Sequence, residues 1–212
     1  MGADQPVRHP VFARFFDRFA AKDEEHGQAE LRDELLRGLS GRVIEVGAGN
    51  GLNFPHYPAE VEELVAVEPE AYLRERAVTA ARTAPVPITV LDGVAGRLPA
   101  GDGSFDAAVV SGVLCSVPDQ GSALADLRRV LRPGGELRFY EHVRARNPVR
   151  GRFQDAVDLV WPRLMGGCHP NRDTLAAIER AGYTIETCRG FEFPPGVRLS
   201  PVSPRILGVA RS

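Results

Sequence analysis

Cysteine is scarce in this chain of 212 residues, which contains only Cys115, Cys168 and Cys188. The three are an odd number and form no Cys-x-x-Cys pair, so a disulfide framework and a structural zinc site are both disfavoured. Cys168 and His169 are adjacent, but the sequence shows no third ligand near them, which favours a packing role. Free thiols fit a reducing compartment, so we predict a cytoplasmic protein that binds no metal.

Long apolar runs and an excess of charge of one sign are also absent. No stretch of about 18 or more apolar residues occurs, so we expect no transmembrane helix. The first ten residues, MGADQPVRHP, lack the apolar core of a signal peptide. The net charge is −2, from 26 basic and 28 acidic residues, which argues against nucleic acid as a partner. We expect a small-molecule partner, and a monomer or homodimer in solution.

What the sequence does contain is an alternation of short apolar runs with helical patterns. This alternation predicts an α/β fold in which a mostly parallel sheet carries helices on both faces. The last two apolar runs would form a hairpin-like pair that adds one antiparallel strand. The seven predicted strands are residues 43–46, 64–67, 88–91, 105–110, 136–140, 183–189 and 206–210. The predicted helices include residues 24–39, 70–83 and 119–131, and one that ends near 181 and is capped by Asn171 or Asp173.

The chain divides into two predicted parts. Residues 1–40 would form an N-terminal helical cap, with Phe12, Phe15, Phe16 and Phe19 on one helical stripe. Residues 41–212 would form the main domain, interrupted by a helical lid at residues 143–170. That lid is expected to be irregular at first and then helical, with five apolar residues roughly on one face: Phe153, Val157, Val160, Trp161 and Leu164.

A glycine-rich turn after the first strand is the most informative segment. Glycines in the run GAGNG, residues 47–51, let the backbone turn tightly and let a ligand lie close against it. The second strand ends on Glu68, whose carboxylate can accept hydrogen bonds from both hydroxyls of a ribose. Glu45 adds an acid inside the first strand end, where it needs a cation or a hydrogen-bond donor. A sulfonium nucleoside offers a ribose, a positive sulfur and an amino group.

The chain resembles the class I S-adenosylmethionine-dependent methyltransferases. The resemblance is carried by the segments VIEVGAGNG, VAVEPE, LPAGDGSFDAAVVSGVL and LRRVLRPGGELRFYEH, which cover roughly residues 40–142. It implies a Rossmann-like sheet of seven strands, S-adenosylmethionine as cofactor and S-adenosylhomocysteine as its product. The cofactor-binding residues that it implies, read together with the turn, are Glu45, Gly47, Ala48, Gly49, Glu68, Pro69, Gly93, Val94, Ala95 and Ser111. Val94 stands where the commoner pattern has an aspartate, so adenine recognition would rest on backbone or on Asp92.

A narrower resemblance links the chain to the microsomal alkyl thiol methyltransferases and their bacterial relatives. It is carried by GLNFPHYP, VLCSV, RRVLRPGG, YEHV, GCHPNRDT and SPRILGVA, from about Gly41 onward. It implies a small, mostly apolar thiol as acceptor and a methyl thioether as product. The mammalian enzymes begin with an apolar membrane anchor, and no such segment occurs in this sequence.

The residues that would meet the acceptor follow from their places after the strands. His142 follows the fifth strand and is the catalytic candidate, as a general base, a pocket wall or a partner of backbone. Phe12, Phe16, Cys115, Phe153 and Trp161 are the predicted pocket residues, although a buried cysteine is commonly a small packing group.

Other functions remain open on the sequence. One alternative is O- or N-methylation of a secondary metabolite or of a quinone- or lipid-like precursor, and another is a non-catalytic protein that binds S-adenosylmethionine. A nicotinamide oxidoreductase is disfavoured, because Leu52 stands where the dinucleotide fingerprint has its third glycine.

Overall fold

The computed structural model describes residues 12–15, 17–18, 27–197 and 200–212. Residues 12–15 and 17–18 have helical backbone. The strands are β1 (Gly41–Val46), β2 (Val61–Val67), β3 (Ile88–Leu91), β4 (Phe105–Ser111), β5 (Leu131–His142), β6 (Thr184–Glu192) and β7 (Pro204–Arg211). The α-helices are α1 (Ala29–Leu36), α2 (Ala71–Ala81), α3 (Gln120–Val130), α4 (Pro148–Asp158), α5 (Trp161–Leu164) and α6 (Thr174–Arg180), and Phe54–His56 form a 3-10 turn.

The strands form one seven-stranded sheet in the order β3-β2-β1-β4-β5-β7-β6. Strand β1 pairs in parallel with both β2 and β4, and β4 pairs in parallel with β5. Strand β7 runs antiparallel between β5 and β6, as expected for the final pair. The predicted fold class is confirmed. Because the chain leaves β1 toward one side of the sheet and reaches β4 on the other, the carboxyl ends of β1 and β4 flank a crevice in which such sheets bind ligands.

Two apolar cores cover the two faces of the sheet. On one face, α3 and α6 pack with Leu124, Leu127 and Ile178 fully buried. On the other, α1 and the 3-10 turn bury Leu36 and Phe54. Burial of each large side chain stabilises the fold by about 1.5–3 kcal/mol. The central strands are therefore fixed from both sides, which holds the residues at their carboxyl ends in place.

Strand β5 is longer than the predicted residues 136–140. Its pairing with β4 shifts, because Phe105 lies opposite Leu131 whereas Ala107 lies opposite Glu136. The intervening Arg-Pro-Gly-Gly forms a bulge, in which an extra loop of chain is absorbed without ending the strand. Proline and glycine are typical of both turns and bulges, so the sequence predicts that the strand begins only after residue 135.

The five apolar residues expected roughly on one face of the lid are divided between two helices and the turn that joins them. Helix α4 ends before α5 begins at Trp161, and Pro162 lies in the first turn of α5. The buried positions of α4 are Gly151 and Gln154, whereas Phe153 is 49% exposed. The polar Gln154 thus faces the body of the protein. Of the predicted apolar residues, Val157 and Trp161 are half-buried, and Val160 and Leu164 are exposed like Phe153. No helix among the described residues has the length and apolarity needed to cross a bilayer.

Candidate active site

The glycine turn joins the carboxyl end of β1 to the body of the sheet. Its Gly47, Gly49 and Gly51 all have positive φ, at 71°, 58° and 84°, which other residues rarely adopt. The N–H of Gly47 donates to the carbonyl of Val67 at 2.8 Å. A Cβ atom on Gly47 would lie 2.5 Å from Val113, so this position has no room for a side chain. The turn therefore brings the loop after β4 against the loop after β1.

Glu68 lies beside the glycine turn, as the sequence predicts. One carboxylate oxygen accepts from the N–H of Gly49 at 2.8 Å, and the other accepts from the N–H of Glu70 at 2.9 Å. Burial raises the pKa of this carboxyl. Each oxygen keeps a lone pair for a further donor. A ribose with two neighbouring hydroxyls fits this arrangement, because the turn fixes the carboxylate before any ligand arrives.

Glu45 is buried and has two neutral donors as partners. The side-chain amide of Asn53 donates to one oxygen at 2.7 Å, and the hydroxyl of Tyr57 donates to the other at 2.8 Å. Burial raises the pKa of Glu45 to about 7. The sequence predicts that this acid needs a donor or a cation but does not identify Asn53 or Tyr57. Both lie in the segment GLNFPHYP, where the resemblance alone marks them out.

The loop after β3 carries the predicted adenine-side residues Gly93, Val94 and Ala95. A Cβ atom on Gly93 would lie 2.9 Å from both Pro99 and Val67, so glycine is required there. Asp92 directly precedes this loop and carries the carboxylate that could accept from the adenine. It forms an ion pair with Arg74 at 3.3 Å and is largely exposed. The same arginine donates to the carbonyl oxygen of Pro69 at 3.0 Å. The contacts of these residues to a cofactor remain a prediction, as do those of Ala48 and Ser111.

Glu141 organises the loop that follows β4. One of its oxygens accepts from the N–H groups of Val113 and Leu114, at 2.8 and 3.0 Å, and the other accepts from the N–H of Cys115 at 3.1 Å. Burial raises its pKa to about 7. This residue is absent from the sequence predictions. An acid near the end of a buried strand, as at Glu45, is the signal that identifies it.

Two cysteines and a histidine meet next to this loop, and we call Cys115, His142 and Cys168 the sulfur–histidine cluster. The two sulfurs are 3.8 Å apart, and His142 Nδ1 lies 3.5 Å from Cys115 Sγ and 3.6 Å from Cys168 Sγ. Desolvation lowers the pKa of His142. The contact between the two sulfurs lowers the pKa of the Cys168 thiol and, together with burial, raises the pKa of Cys115.

His169, the neighbour of Cys168 in the sequence, is not part of this cluster. His169 faces away and pairs with Asp158 at 3.0 Å, and its backbone N–H donates to the carbonyl of Cys115 at 2.8 Å. The ligand atoms that approach Cys168 come instead from Cys115 and His142. The sequence predicts Cys115 and His142 near the acceptor, but it does not predict Cys168 there. The three are distant along the chain and meet only in the folded protein.

The described N-terminal residues, 12–15 and 17–18, which we call the N-terminal segment, lie between the glycine turn and the cluster. Phe12 lies against Gly166, where a Cβ atom would come within 2.6 Å of its ring. Asp17 accepts from the side-chain amide of Asn50 at 2.9 Å and from the hydroxyl of Tyr72 at 3.1 Å. The segment therefore touches the 166–168 turn at one end and the glycine turn at the other. Phe16 lies outside the described residues.

Helix α4 is tied to the body through Gln154. Its side-chain carbonyl accepts from the N–H of Ala145 at 2.7 Å, and its amide group donates to the carbonyls of Pro170 and Pro201 at 2.8 Å each. Trp161 is partly buried, and its indole contributes to the lowered pKa of Cys168, after Cys115 and His142. Trp161 thus lies beside the cluster. The roles of Phe153 and Trp161 as pocket walls remain predictions.

Comparison with known proteins agrees with this site. Residues 44–139 match the family model described as "Methyltransferase domain". The chain is 33% identical to thiol S-methyltransferase TMT1B of Mus musculus, over 99% of this chain and 89% of that protein. It is 30% identical to thiol S-methyltransferase TMT1A of Homo sapiens, over 94% and 85% of the two chains.

A solved structure from Thermotoga maritima, an S-adenosylmethionine-dependent methyltransferase described as a possible histamine N-methyltransferase, has the same fold. It superposes with a TM-score of 0.68 at 20% identity, over 95% of this chain and 98% of that one. The match to the methyltransferase family makes S-adenosylmethionine the cofactor, and the glycine turn and Glu68 fit it. The chain belongs to the class I S-adenosylmethionine-dependent methyltransferases, in the family that includes thiol S-methyltransferases TMT1A and TMT1B.

Proposed function

We propose that this enzyme transfers a methyl group to the sulfur of a small, mostly apolar thiol. The observation that carries the proposal is the extent of the similarity to the thiol S-methyltransferases. It covers 99% of this chain, whereas the general methyltransferase model ends at residue 139. The similarity therefore includes the N-terminal residues and the residues after β5, which would line the acceptor-binding part of the crevice.

The cofactor would lie across the carboxyl ends of β1, β2 and β4. Glu68 would accept hydrogen bonds from the ribose hydroxyls, and Gly47 and Gly49 would let the nucleoside approach the backbone. Glu45 would face the amino end of the methionine part, where a positive charge favours its ionised form. The loop with Gly93 and Val94 would border the adenine.

The chain has little chemistry to perform itself. Bound S-adenosylmethionine supplies a methyl group already activated on a sulfonium, so the protein mainly positions a nucleophile in line with it. A thiol with a pKa near 8.5 is a few per cent thiolate at neutral pH, so little general-base help is needed. His142, kept neutral by desolvation, would orient the acceptor or take its proton.

The location in the cytoplasm and the state as a monomer or homodimer remain predictions.

The N-terminal segment and residues 143–170 would act as a lid over the reacting atoms. The contact of Phe12 with Gly166 and the hydrogen bond of Asp17 with Asn50 support this proposal. A lid of this kind excludes water and holds the acceptor near the methyl group. The split into residues 1–40 as a cap and 41–212 as the catalytic domain remains part of the proposal.

A matched set of acceptors tests the proposal. An alkyl thiol, the corresponding alcohol and the corresponding amine, on one carbon skeleton, are incubated with S-adenosylmethionine while release of S-adenosylhomocysteine is followed. We expect turnover with the thiol and background rates with the other two. A protein that methylates the amine or the alcohol but not the thiol would overturn the thiol assignment. The variant Glu62→Ala, on the exposed side of β2, serves as the control that keeps wild-type turnover.

A further inference from the structure

We propose that the sulfur–histidine cluster is a zinc site with one open coordination position, and that the acceptor thiol binds there as a thiolate. The first part stands on the geometry of Cys115, His142 and Cys168 alone. The second part rests on the proposed function and identifies the atom of the acceptor that the site recognises.

The distances within the cluster match a tetrahedral zinc site. Zinc bonds sulfur at about 2.3 Å and imidazole nitrogen at about 2.0–2.1 Å, so tetrahedral angles place two sulfurs about 3.8 Å apart and each sulfur about 3.6 Å from the nitrogen. In this protein the separation of the sulfurs is 3.8 Å, and the separations from sulfur to Nδ1 are 3.5 and 3.6 Å. All three atoms can therefore bind one ion without rearrangement of the backbone.

The number and type of ligands distinguish a reactive site from a structural one. Structural zinc sites are closed by four protein ligands, whereas catalytic sites keep three and leave the fourth position to water or substrate. Two cysteines and one histidine are such a three-ligand set. Thiolate and imidazole together favour zinc over magnesium or calcium, which prefer oxygen.

The protein fixes each ligand through the backbone around it. Glu141 binds the N–H of Cys115, and it directly precedes His142 on β5. Gly167, next to Cys168, lies so close to the carbonyl of Ser116 that a Cβ atom would be 3.0 Å from it. Three separate segments are thus held together by contacts other than those of the ligands themselves. This is the preorganisation that a metal site requires.

The cluster also lies where the acceptor must be. It occupies the carboxyl ends of β4 and β5, and Val113, two residues before Cys115, contacts Gly47 of the glycine turn. Phe12 of the N-terminal segment packs on Gly166, two residues before Cys168. An ion at the cluster is therefore next to the cofactor turn and under the lid.

Zinc keeps its charge and its three protein ligands throughout the proposed reaction. The acceptor R–SH binds the open position and gives its proton to solvent, leaving a zinc-bound thiolate. Its sulfur forms a bond to the methyl carbon while the bond from that carbon to the sulfonium breaks, and the electron pair stays on the departing S-adenosylhomocysteine. The product thioether carries no charge, binds zinc weakly and leaves. In this arrangement His142 acts as a metal ligand and not as a general base.

Metal content provides the first test. The full chain is purified under reducing conditions, stripped with a chelator and titrated with zinc, and bound metal is measured by mass spectrometry. We expect about one zinc per chain, as for a single site with three ligands. Cys115→Ser and Cys168→Ser should lose it. Cys188→Ser, at the exposed third cysteine, and His169→Asn, at the histidine paired with Asp158, should keep it.

Substitution with cobalt keeps the test decisive if a cysteine variant fails to fold. The wild-type protein loaded with Co²⁺ should show thiolate-to-cobalt charge-transfer absorption and the intense visible bands of tetrahedral coordination. A wild-type protein that binds neither ion, or a Cys188→Ser variant that loses the metal as fully as Cys168→Ser, would overturn the site. A reduced protein that binds no metal but forms a Cys115–Cys168 disulfide on oxidation would also overturn it.

Addition of a small alkyl thiol to the cobalt form, without S-adenosylmethionine, tests the open position. We expect stronger charge-transfer absorption as a third sulfur enters the coordination sphere, and no change with the corresponding alcohol. If the thiol is methylated but leaves the spectrum unchanged, the open-position part is wrong while the proposed function stands. If the thiol alters the spectrum but is never methylated, the proposed function is wrong while the site stands.

Discussion

The carboxylate of Glu141 holds the loop of Cys115 in place. It accepts hydrogen bonds from the N–H of Cys115 at 3.1 Å and, through its other oxygen, from the two preceding N–H groups. A buried carboxylate with three backbone donors is a strong and directional anchor. This single side chain on β5 therefore fixes the loop that would border the acceptor, directly beside His142.

Glu141→Gln should destabilise the fold, because an amide replaces one accepting oxygen and faces a backbone donor. We expect the free energy of unfolding to fall by about 1–3 kcal/mol. Denaturant unfolding measures it. Glu186→Gln on β6 is the control, since Glu186 is a surface partner of Arg211 and its loss should cost little. Equal stability of the wild type and Glu141→Gln would contradict this role.

The free energy of unfolding should depend on pH through the titration of Glu45. Its pKa is raised from 4.5 to about 7 in the folded protein, mainly by burial. Between these two values the unfolded chain is ionised while the folded protein stays protonated, so the folded state binds more protons. Stability should be fully present at low pH and should fall as pH rises, by about 1 kcal/mol per pH unit for this group.

The check is urea unfolding of the wild type and Glu45→Gln between about pH 5 and pH 7. Glu141 contributes in the same direction, so the wild type should show the steeper slope and Glu45→Gln a shallower one. Stability that rises with pH over this range, or the same slope in both proteins, would contradict the assignment for Glu45.

Glu68→Ala should weaken binding of S-adenosylmethionine. The variant removes the acceptor for the ribose and also releases the N–H of Gly49, so the loss should be about 1.5–3 kcal/mol. Calorimetry on the folded variant measures the affinity, with Glu62→Ala on the same strand as the control. Unchanged affinity in a folded Glu68→Ala protein would show that the ribose lies elsewhere.

Phe12→Ala should lower kcat/KM for the acceptor and leave the affinity for S-adenosylmethionine nearly unchanged. Loss of the contact with Gly166 loosens the lid, and a decrease of about tenfold corresponds to about 1.4 kcal/mol. Phe15→Ala is the matched control, because Phe15 is 46% exposed in the same segment. Equal kcat/KM values for the two variants would mean that Phe12 does not contribute to the acceptor pocket.

The sequence predicts much of this fold because its signals are local. Apolar runs identify the seven strands, and Asp173, one of two predicted caps, accepts from the N–H of Ala176 at the start of α6. The glycine turn and Glu68 are also predicted together, since parallel strands bring their carboxyl ends to one edge. The bulge in β5 and the break between α4 and α5 depend on strand register and packing, which local patterns do not specify.

The proposed acceptor site, around the sulfur–histidine cluster, is less predictable because its residues are far apart in the sequence. His142 lies 27 positions from Cys115 and 26 from Cys168, and nothing in the spacing brings them together. The adjacent Cys168 and His169, for which the sequence favours a packing role, have different side-chain partners in the structure. The prediction of no metal rests on that missing third ligand, and the zinc measurements described above decide it.

The most direct measurement of the proposed reaction uses one acceptor that carries both a thiol and a hydroxyl. The enzyme is incubated with this mercaptoalcohol and S-adenosylmethionine labelled in its methyl group, and the labelled product is identified by mass spectrometry. We expect the label on sulfur, as a methyl thioether, with S-adenosylhomocysteine released in equal amount. Label on oxygen, as a methyl ether with the thiol left free, would contradict thiol S-methylation by this protein.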